Sequence, residues 1–319
     1  MAFRYINPGY VVGLNTSSEA TQVVGFNYSD TGVAFSQIAS YGGILISDFN
    51  QGDDFWAKFD CYIPENISSE FYCLIPFSST ASGISVMIPA GTENIHYIYA
   101  VRGAAYYTMI SGTAKYLNIK RGGINTFTFH AVYDLTFKYS SESNSLIEVF
   151  FNGNKFISLP GNGFYYRSDG ANYVRLYGDN SVFFSNIILS NEEISPKEQI
   201  IALTADTTFT DMTAGENGIY VADAANQSLL QTVDIDELIA TYGASSAVTG
   251  ISLIGNPAYK TATGLAALTG ISKSSDIVIA HDTINLSDDT NSMIMDSWGL
   301  SGVTIADLED MQFGWKVKE

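Results

Sequence analysis

The chain is poor in the residues that reactive chemistry most often needs. Its 319 residues include two cysteines, Cys61 and Cys73, and three histidines, His96, His130 and His281. Two cysteines cannot build a four-cysteine zinc site or a disulfide-dense scaffold. They sit in the apolar runs FWAKFDCYIP and SEFYCLIPFS, which read as neighbouring strands, so a bridge and a pair of buried thiols both stay open. Each histidine lies alone in or beside a strand-like run, where an imidazole is usually structural. HExxH, GxSxG and the phosphate-cradling GxxxxGKS/T pattern are all missing. Basic residues are scarce too, 15 Lys and Arg against 33 Asp and Glu, for a net charge of −18. That balance excludes nucleic-acid binding by phosphate neutralisation and charge-driven docking on anionic lipid. No apolar run approaches the roughly 18 residues of a membrane-spanning helix, so membrane insertion is not expected. The opening MAFRYINPGYVVGL lacks the basic start and apolar stretch of a secretory signal, and no signal peptide is expected.

What is present favours strands. Hydrophobic residues make up 46%, aromatic residues 13%, and there are 20 Tyr and 19 Phe. Across the first 195 or so residues, short runs rich in these residues recur without an amphipathic helix between them. In TFTFHAVYDLTFKYS, Phe127, Phe129, Ala131, Tyr133, Leu135, Phe137 and Tyr139 share one face. Thr128, His130, Val132, Asp134, Thr136 and Lys138 share the other, predicting one buried and one mostly wet face. In LIEVFFNGNKFISL, Asn152-Gly153 predicts a tight hairpin, because Asn-Gly favours positive φ at both central turn positions. A turn over Ser140 to Asn144 would make the three strands a meander. The fold class expected is all-β: a two-sheet jelly-roll sandwich over residues 1–195, then a smaller β-rich domain with one or two short helices over 200–319.

NEEISPKEQ, residues 191–199, reads as a linker or short helical turn between the two. Charge shifts there as well, from a net −6 over residues 1–199 to −12 over 200–319. DIDELIATYG predicts a helix capped by Asp234 or Asp236 and stopped by Gly243. VTIADLEDM predicts a second, with Thr304 as N-cap and Asp307 three residues on. ISLIG, DIVIAHDTINL and MQFGWKV read as strands. VTGIS (248–252) and LTGIS (268–272) read as a coincidence or as two similar turns, since a solenoid needs at least three copies.

The segment from TFTFHAVYDLTFKYS through IEVFFNGNKFISLPG to NYVRLYGDNSVFFSNIILSNEEI resembles the closing half of a laminin-G or concanavalin A-like domain. The hairpin is carried by Val149 to Lys155, and the last strand by Phe184 to Ile194. FRYINPGY at the start and VTIADLEDMQFGWKV at the end resemble the ends of tailed-phage virion proteins that carry such a module. The second resemblance implies that Leu308, Met311, Phe313 and Val317 enter a core and that Gly314 makes a tight approach. DIDELIATYG departs from it as an insertion. What it implies in function is a non-enzymatic structural component of a virion (tail, fibre or head surface), assembled in the host cytoplasm, with other virion proteins and copies of itself as partners. The alternatives are a carbohydrate-binding module of a bacterial surface protein and a glycan-active enzyme.

Sugar binding, to a host-surface glycan, would fall on rim loops of such a domain. GFYYRSDGANY holds Tyr165, Tyr166, Arg167, Asp169 and Tyr173, and AVRGAAYYTM holds Tyr106 and Tyr107. Tyrosine offers an apolar face and a polar edge, which suits stacking on sugars, although the same tyrosines could fill a core or a subunit contact. For hydrolysis, two carboxylates about 5–5.5 Å apart are needed in a retaining enzyme. Glu148 and Asp134 are the pair that adjacent strands could bring together, and no catalytic residue is assigned. Calcium stays open at Asp53-Asp54, at Asp179-Asn180 and at Asp288-Asp289 with Asn291, where turn formation is the ordinary role. No other cofactor or metal is expected. The acidic stretch from Asp276 to Asp310 reads as a solvated face or a dock for a basic partner.

Overall fold

Apolar residues at every second position build the first sheet. The computed structural model describes residues 4–12, 14–16, 20–37, 42–45, 54–64, 69–74, 83–88, 95–102, 108–109, 115–118, 122–132, 146–160, 173–178, 182–216, 219–258, 267–275, 277–286 and 292–318. The chain divides into two units, Met1–Ile201 and Ala202–Glu319. Strands are numbered below in chain order.

In the first unit, β6 (Phe55–Ile63) turns Phe55, Ala57, Phe59, Cys61 and Ile63 inward, each at most 2% exposed. Strand β12 (Gly123–Val132) pairs with β6 along almost its whole length and sends Phe127 and Phe129 to the same side. The sheet continues through β13 (Leu146–Phe151) to β14 (Asn154–Pro160). In the other direction it runs through β16 (Phe183–Ser190), β4 (Val33–Gln37) and β3 (Ala20–Val24), with β1 (Arg4–Asn7) also paired to β16. The turn between β13 and β14 is the predicted one: Asn152 and Gly153 have φ of 46° and 79°. The Asn152 side-chain oxygen accepts the Thr126 N–H at 2.9 Å, fastening the turn to β12.

The second sheet runs β10 (Thr108–Met109), β9 (Ile95–Arg102), β8 (Gly83–Ile88), β7 (Ser69–Leu74), β15 (Tyr173–Gly178), β5 (Gly42–Leu45) and β2 (Leu14–Thr16). Strand β11 (Lys115–Asn118) also pairs with β9. Val174 and Leu176 of this sheet are buried together with Phe35, Phe184, Ile187 and Leu189 of the first. The architecture is an all-β sandwich of jelly-roll type. Its chain crosses from one sheet to the other between β6 and β7, so Cys61 and Cys73 lie in different sheets and not on neighbouring strands. Cys61 is a buried thiol.

Two expectations need correction here. The second face of β12 is not wet: Thr128 and His130 are 2% and 9% exposed. Lys58 and Trp56 of β6 stand opposite them on one side, and Phe150 and Glu148 of β13 on the other. The segment 191–200 contains no helix. It is instead held against the sandwich, where Glu198 pairs with Arg4 and three of the segment's carbonyls take the Lys58 ammonium.

In the second unit, a sheet of order β17 (Ala205–Thr210), β20 (Ser228–Val233), β25 (Met311–Lys318), β22 (Ala267–Ser274) and β23 (Ile277–Asn285) is accompanied by two separate two-stranded sheets. These are β18 (Thr213–Ala214) with β19 (Tyr220–Val221), and β21 (Ala247–Ala258) with β24 (Ser292–Thr304). Helix α1 (Asp236–Tyr242) ends at Gly243, whose φ of 86° suits a residue without Cβ. Asp234 accepts the Asp236 N–H at 3.0 Å at its start. Residues Ala306–Asp310 form a 3-10 helix. The N-cap is Ile305 and not the expected Thr304, but the Thr304–Asp307 pair does meet, with Asp307 accepting both the Thr304 N–H and its hydroxyl at 2.7 Å. Ile235, Leu238, Trp298, Ile305, Leu308, Met311 and Phe313 make the core, and Val317 is buried nearby on β25. A Cβ on Gly314 would collide with the Leu229 carbonyl of the paired strand, which is the tight approach that the resemblance implied. VTGIS and LTGIS are not turns. They lie in β21 and β22, each with a register shift within the repeated residues, between Val248 and Gly250 and between Thr269 and Ile271.

Truncating a fully buried ring leaves a cavity that a packed sandwich cannot close. Phe184→Ala is therefore expected to cost roughly 3–5 kcal/mol, read as a lowered denaturation midpoint of the first unit with an unchanged m-value. An unaltered midpoint would place Phe184 outside the core.

Candidate functional site

The side of β6 that turns away from the core carries Trp56, Lys58, Asp60 and Tyr62. Antiparallel register sets partners beside them on β12: His130 opposite Trp56, Thr128 opposite Lys58 and Thr126 opposite Asp60. One strand further, Glu148 stands opposite His130. Three strands thus bring Trp56, His130 and Glu148 into one row, although 92 positions separate the first from the last (148 − 56).

The row is tightly organised. The His130 ring lies flat on the Trp56 indole, with centroids 3.9 Å apart and planes 10° apart. Its Nδ1 is 3.3 Å from a Glu148 oxygen, and its Nε2 is 3.2 Å from an oxygen of Asp54, which immediately precedes β6. The Lys155 ammonium from β14 closes on the other Glu148 oxygen at 2.5 Å and lies 5.7 Å from the Phe150 ring centroid. Burial alone would raise the Glu148 carboxyl, but hydrogen bonds from Lys155 and His130 and their charges outweigh it, holding Glu148 below the usual carboxylate range. Glu148 is 11% exposed at its side chain and Asp54 is 48% exposed. An inner acid therefore orients the imidazole from one nitrogen, while a rim acid meets the other. Such an arrangement can orient an imidazole for acid–base chemistry.

A second polar group lies on the same face. Asp60 accepts the Thr126 hydroxyl at 2.6 Å and the Asn186 amide at 2.8 Å. Burial pushes its carboxyl up, against those bonds and the Lys58 charge. Asn186 has φ of 50° and sits where β16 shifts register between Ser185 and Ile188, a bulge that re-aims its side chain. Lys58 is 6% exposed, with its ammonium donating to the Pro196 carbonyl at 3.1 Å and also to those of Ser195 and Glu198.

In the second unit, His281 of β23 stacks on Trp298 of β24 at 3.6 Å and 12°, and its Nε2 lies 3.2 Å from the Ser272 hydroxyl of β22. Burial lowers the His281 pKa to about 4.

Of the residues read from the sequence as glycan- or partner-binding, Tyr106, Tyr107, Tyr165, Tyr166, Arg167 and Asp169 lie outside the described residues. Tyr173 opens β15, paired with Leu45 of β5, and its side chain lies outside them as well. Asp134, the partner expected for Glu148, also lies outside them, and the register gives Glu148 to His130. Of the calcium candidates only Asp54 is described, and it faces His130. His130 is not the lone structural histidine that the sequence implied. The signal that could have found it is the alternation on β12, which places His130 on the face of Thr128 and away from Phe127 and Phe129.

No protein-family model matches the chain, and no curated protein does. Among solved structures, an alginate lyase in complex with an alginate trisaccharide is 10% identical, covering 60% of this chain and 98% of its own at a TM-score of 0.37. Domain 4 of an extracellular arabinanase from Geobacillus stearothermophilus, with arabinotriose, is 12% identical over 60% and 84% at 0.34. A Bacillus licheniformis β-glucanase is 10% identical over 60% and 98%, also at 0.34. These likenesses concern the fold alone. The expectation of a non-enzymatic chain is corrected by them: alginate lyases, a β-glucanase and a glycosidic hydrolase stand among the similar structures.

His281 makes the second unit acid-sensitive. Its folded pKa of about 4 is below the ordinary 6.5, so the unfolded chain binds more protons between those values. Stability is full above about pH 6.5 and falls as pH drops towards 4. Melts of the second unit across that range should show a falling midpoint, and His281→Phe should flatten the slope. An unchanged slope in that variant would assign the effect to other groups.

Proposed function

We propose that the first unit recognises carbohydrate and acts on it through the face built by β6, β12 and β13. The observation that carries this reading is the His130 imidazole, stacked on Trp56 and set between the Glu148 and Asp54 carboxylates. An aromatic surface beside close-set donors and acceptors suits a ligand that is apolar on its ring faces and polar at its edges, as sugars are. The net charge of −18 turns the choice away from nucleic acid. His130 is the group placed to pass a proton to a leaving glycan oxygen as the bond to that oxygen breaks, Glu148 holds the ring through Nδ1, Lys155 keeps Glu148 ionised, and Asp54 meets Nε2 at the rim. Residence on a phage particle, beside other virion proteins, is a separate proposal resting on the resemblance of the two ends of the chain, and it is compatible with a glycan-directed site. Quantitative mass spectrometry of gradient-purified particles tests it, with many copies per particle expected.

The test of the carbohydrate reading is a panel of polyuronates, β-glucans, arabinans and galactosides, followed for binding and for release of new chain ends. Turnover of at least one polymer is expected. His130→Ala should lower that turnover by about 10²–10⁴-fold, the range of a lost general acid–base, and Trp56→Ala should weaken binding. Binding without turnover on any polymer would reduce the site to recognition. Neither binding nor turnover would overturn the reading.

A further inference from the structure

Beyond Lys58 on the same face, the sheet and the segment that follows β16 enclose a recess of about 410 Å³. Asp60, Thr126, Asn186, Ile188 and Pro196 line it, as does the exposed Gln199. We propose that this recess is a second carbohydrate subsite, taking a neutral, hydroxyl-rich ring. It rests on the carbohydrate reading and deepens it.

Five observations select the ligand. A cation is disfavoured because the Lys58 ammonium already occupies the wall, tied to backbone carbonyls. An anion is not selected either, because Asp30, Asp60 and Glu198 stand against Lys58 and Lys197 in the lining and leave it near charge balance. What remains complementary is a neutral group that both donates and accepts. Each Asp60 oxygen takes one hydrogen bond from the protein, from Thr126 or from Asn186, and a carboxylate oxygen can accept a second. A bound hydroxyl would supply it. The volume lies at the small end of ligand pockets, about 300–1,000 Å³, which suits a ring or two and excludes a bulky polymer cross-section. Asn186 supports the same conclusion. Its left-handed backbone and the bulge around it aim the amide at Asp60, and its own oxygen takes the Thr31 hydroxyl at 3.2 Å, so the lining is held in place before any ligand arrives. Asp60 lies four residues from Trp56 on β6, about 13 Å along the strand. The recess is thus a separate contact from the His130 row, within reach of one oligosaccharide.

The test is a titration of the full chain with methyl glucoside, methyl galactoside and methyl mannoside, following backbone and side-chain amide signals by NMR. The expected result is a saturable shift of the Asn186 and Thr126 signals with at least one glycoside. Asp60→Asn should weaken that binding tenfold or more. Should Asp60→Asn fail to fold, Gln199→Trp obstructs the recess without touching the Asp60 bonds, and it should abolish the same shifts. Shifts confined to Trp56 and His130 would overturn the subsite while leaving the proposed function standing. Shifts at Asn186 that survive Gln199→Trp would place the ligand outside the recess and overturn it as well. No shift at any residue, together with an empty polymer panel, would overturn both.

Discussion

Strand β6 is the constraint on which the first unit depends. It is paired on both edges, with β12 and with β16, so it cannot slip by one residue without driving Phe55, Phe59 and Ile63 out of the core. The hydrophobic effect fixes that register, at about 1.5–3 kcal/mol per large apolar side chain buried. Once it is fixed, Trp56, Lys58 and Asp60 have no choice of side. The polar face is therefore placed by the apolar one, and the candidate chemistry inherits its precision from packing between the sheets.

The polar row carries a cost that the packing must meet. Lys58 is almost fully buried, and burial drives its pKa down, as expected when an ammonium leaves water. Its three carbonyl partners replace the lost hydration. Asp60 is pushed the other way by the same cause and keeps two donors. Glu148 differs. With Lys155 and His130 both on it, attraction exceeds desolvation and the charge is retained. Three ionisable groups on one face thus have three electrostatic outcomes, decided by the number and sign of close partners.

Much of the fold can be read from the chain, because the signals involved are local. The alternation in FWAKFDCYI shows which residues of β6 go inward. Asn152-Gly153 announces its turn because few other pairs accept positive φ at both positions. Gly243 and the Thr304–Asp307 pair mark helix ends for equally local reasons. The candidate site is different in kind. Whether Glu148 faces His130 or Asp134 depends on the register of two strands, and a turn of unknown geometry shifts that register by whole residues. The bulge at Asn186 carries no local signature either. Lys58 reads as a solvated position of an alternating strand. Its burial comes from a segment more than 130 residues later, folded back over the sheet, and no pattern near Lys58 foretells it.

The stacking of His130 on Trp56 has one more consequence. The chain has three tryptophans, at 56, 298 and 315, and only the first belongs to residues 1–201. The sandwich therefore carries a single indole fluorophore, and it lies stacked on an imidazole. Emission from that one ring is an optical gauge of the site, built in without a label. A change in that stacking would alter its brightness.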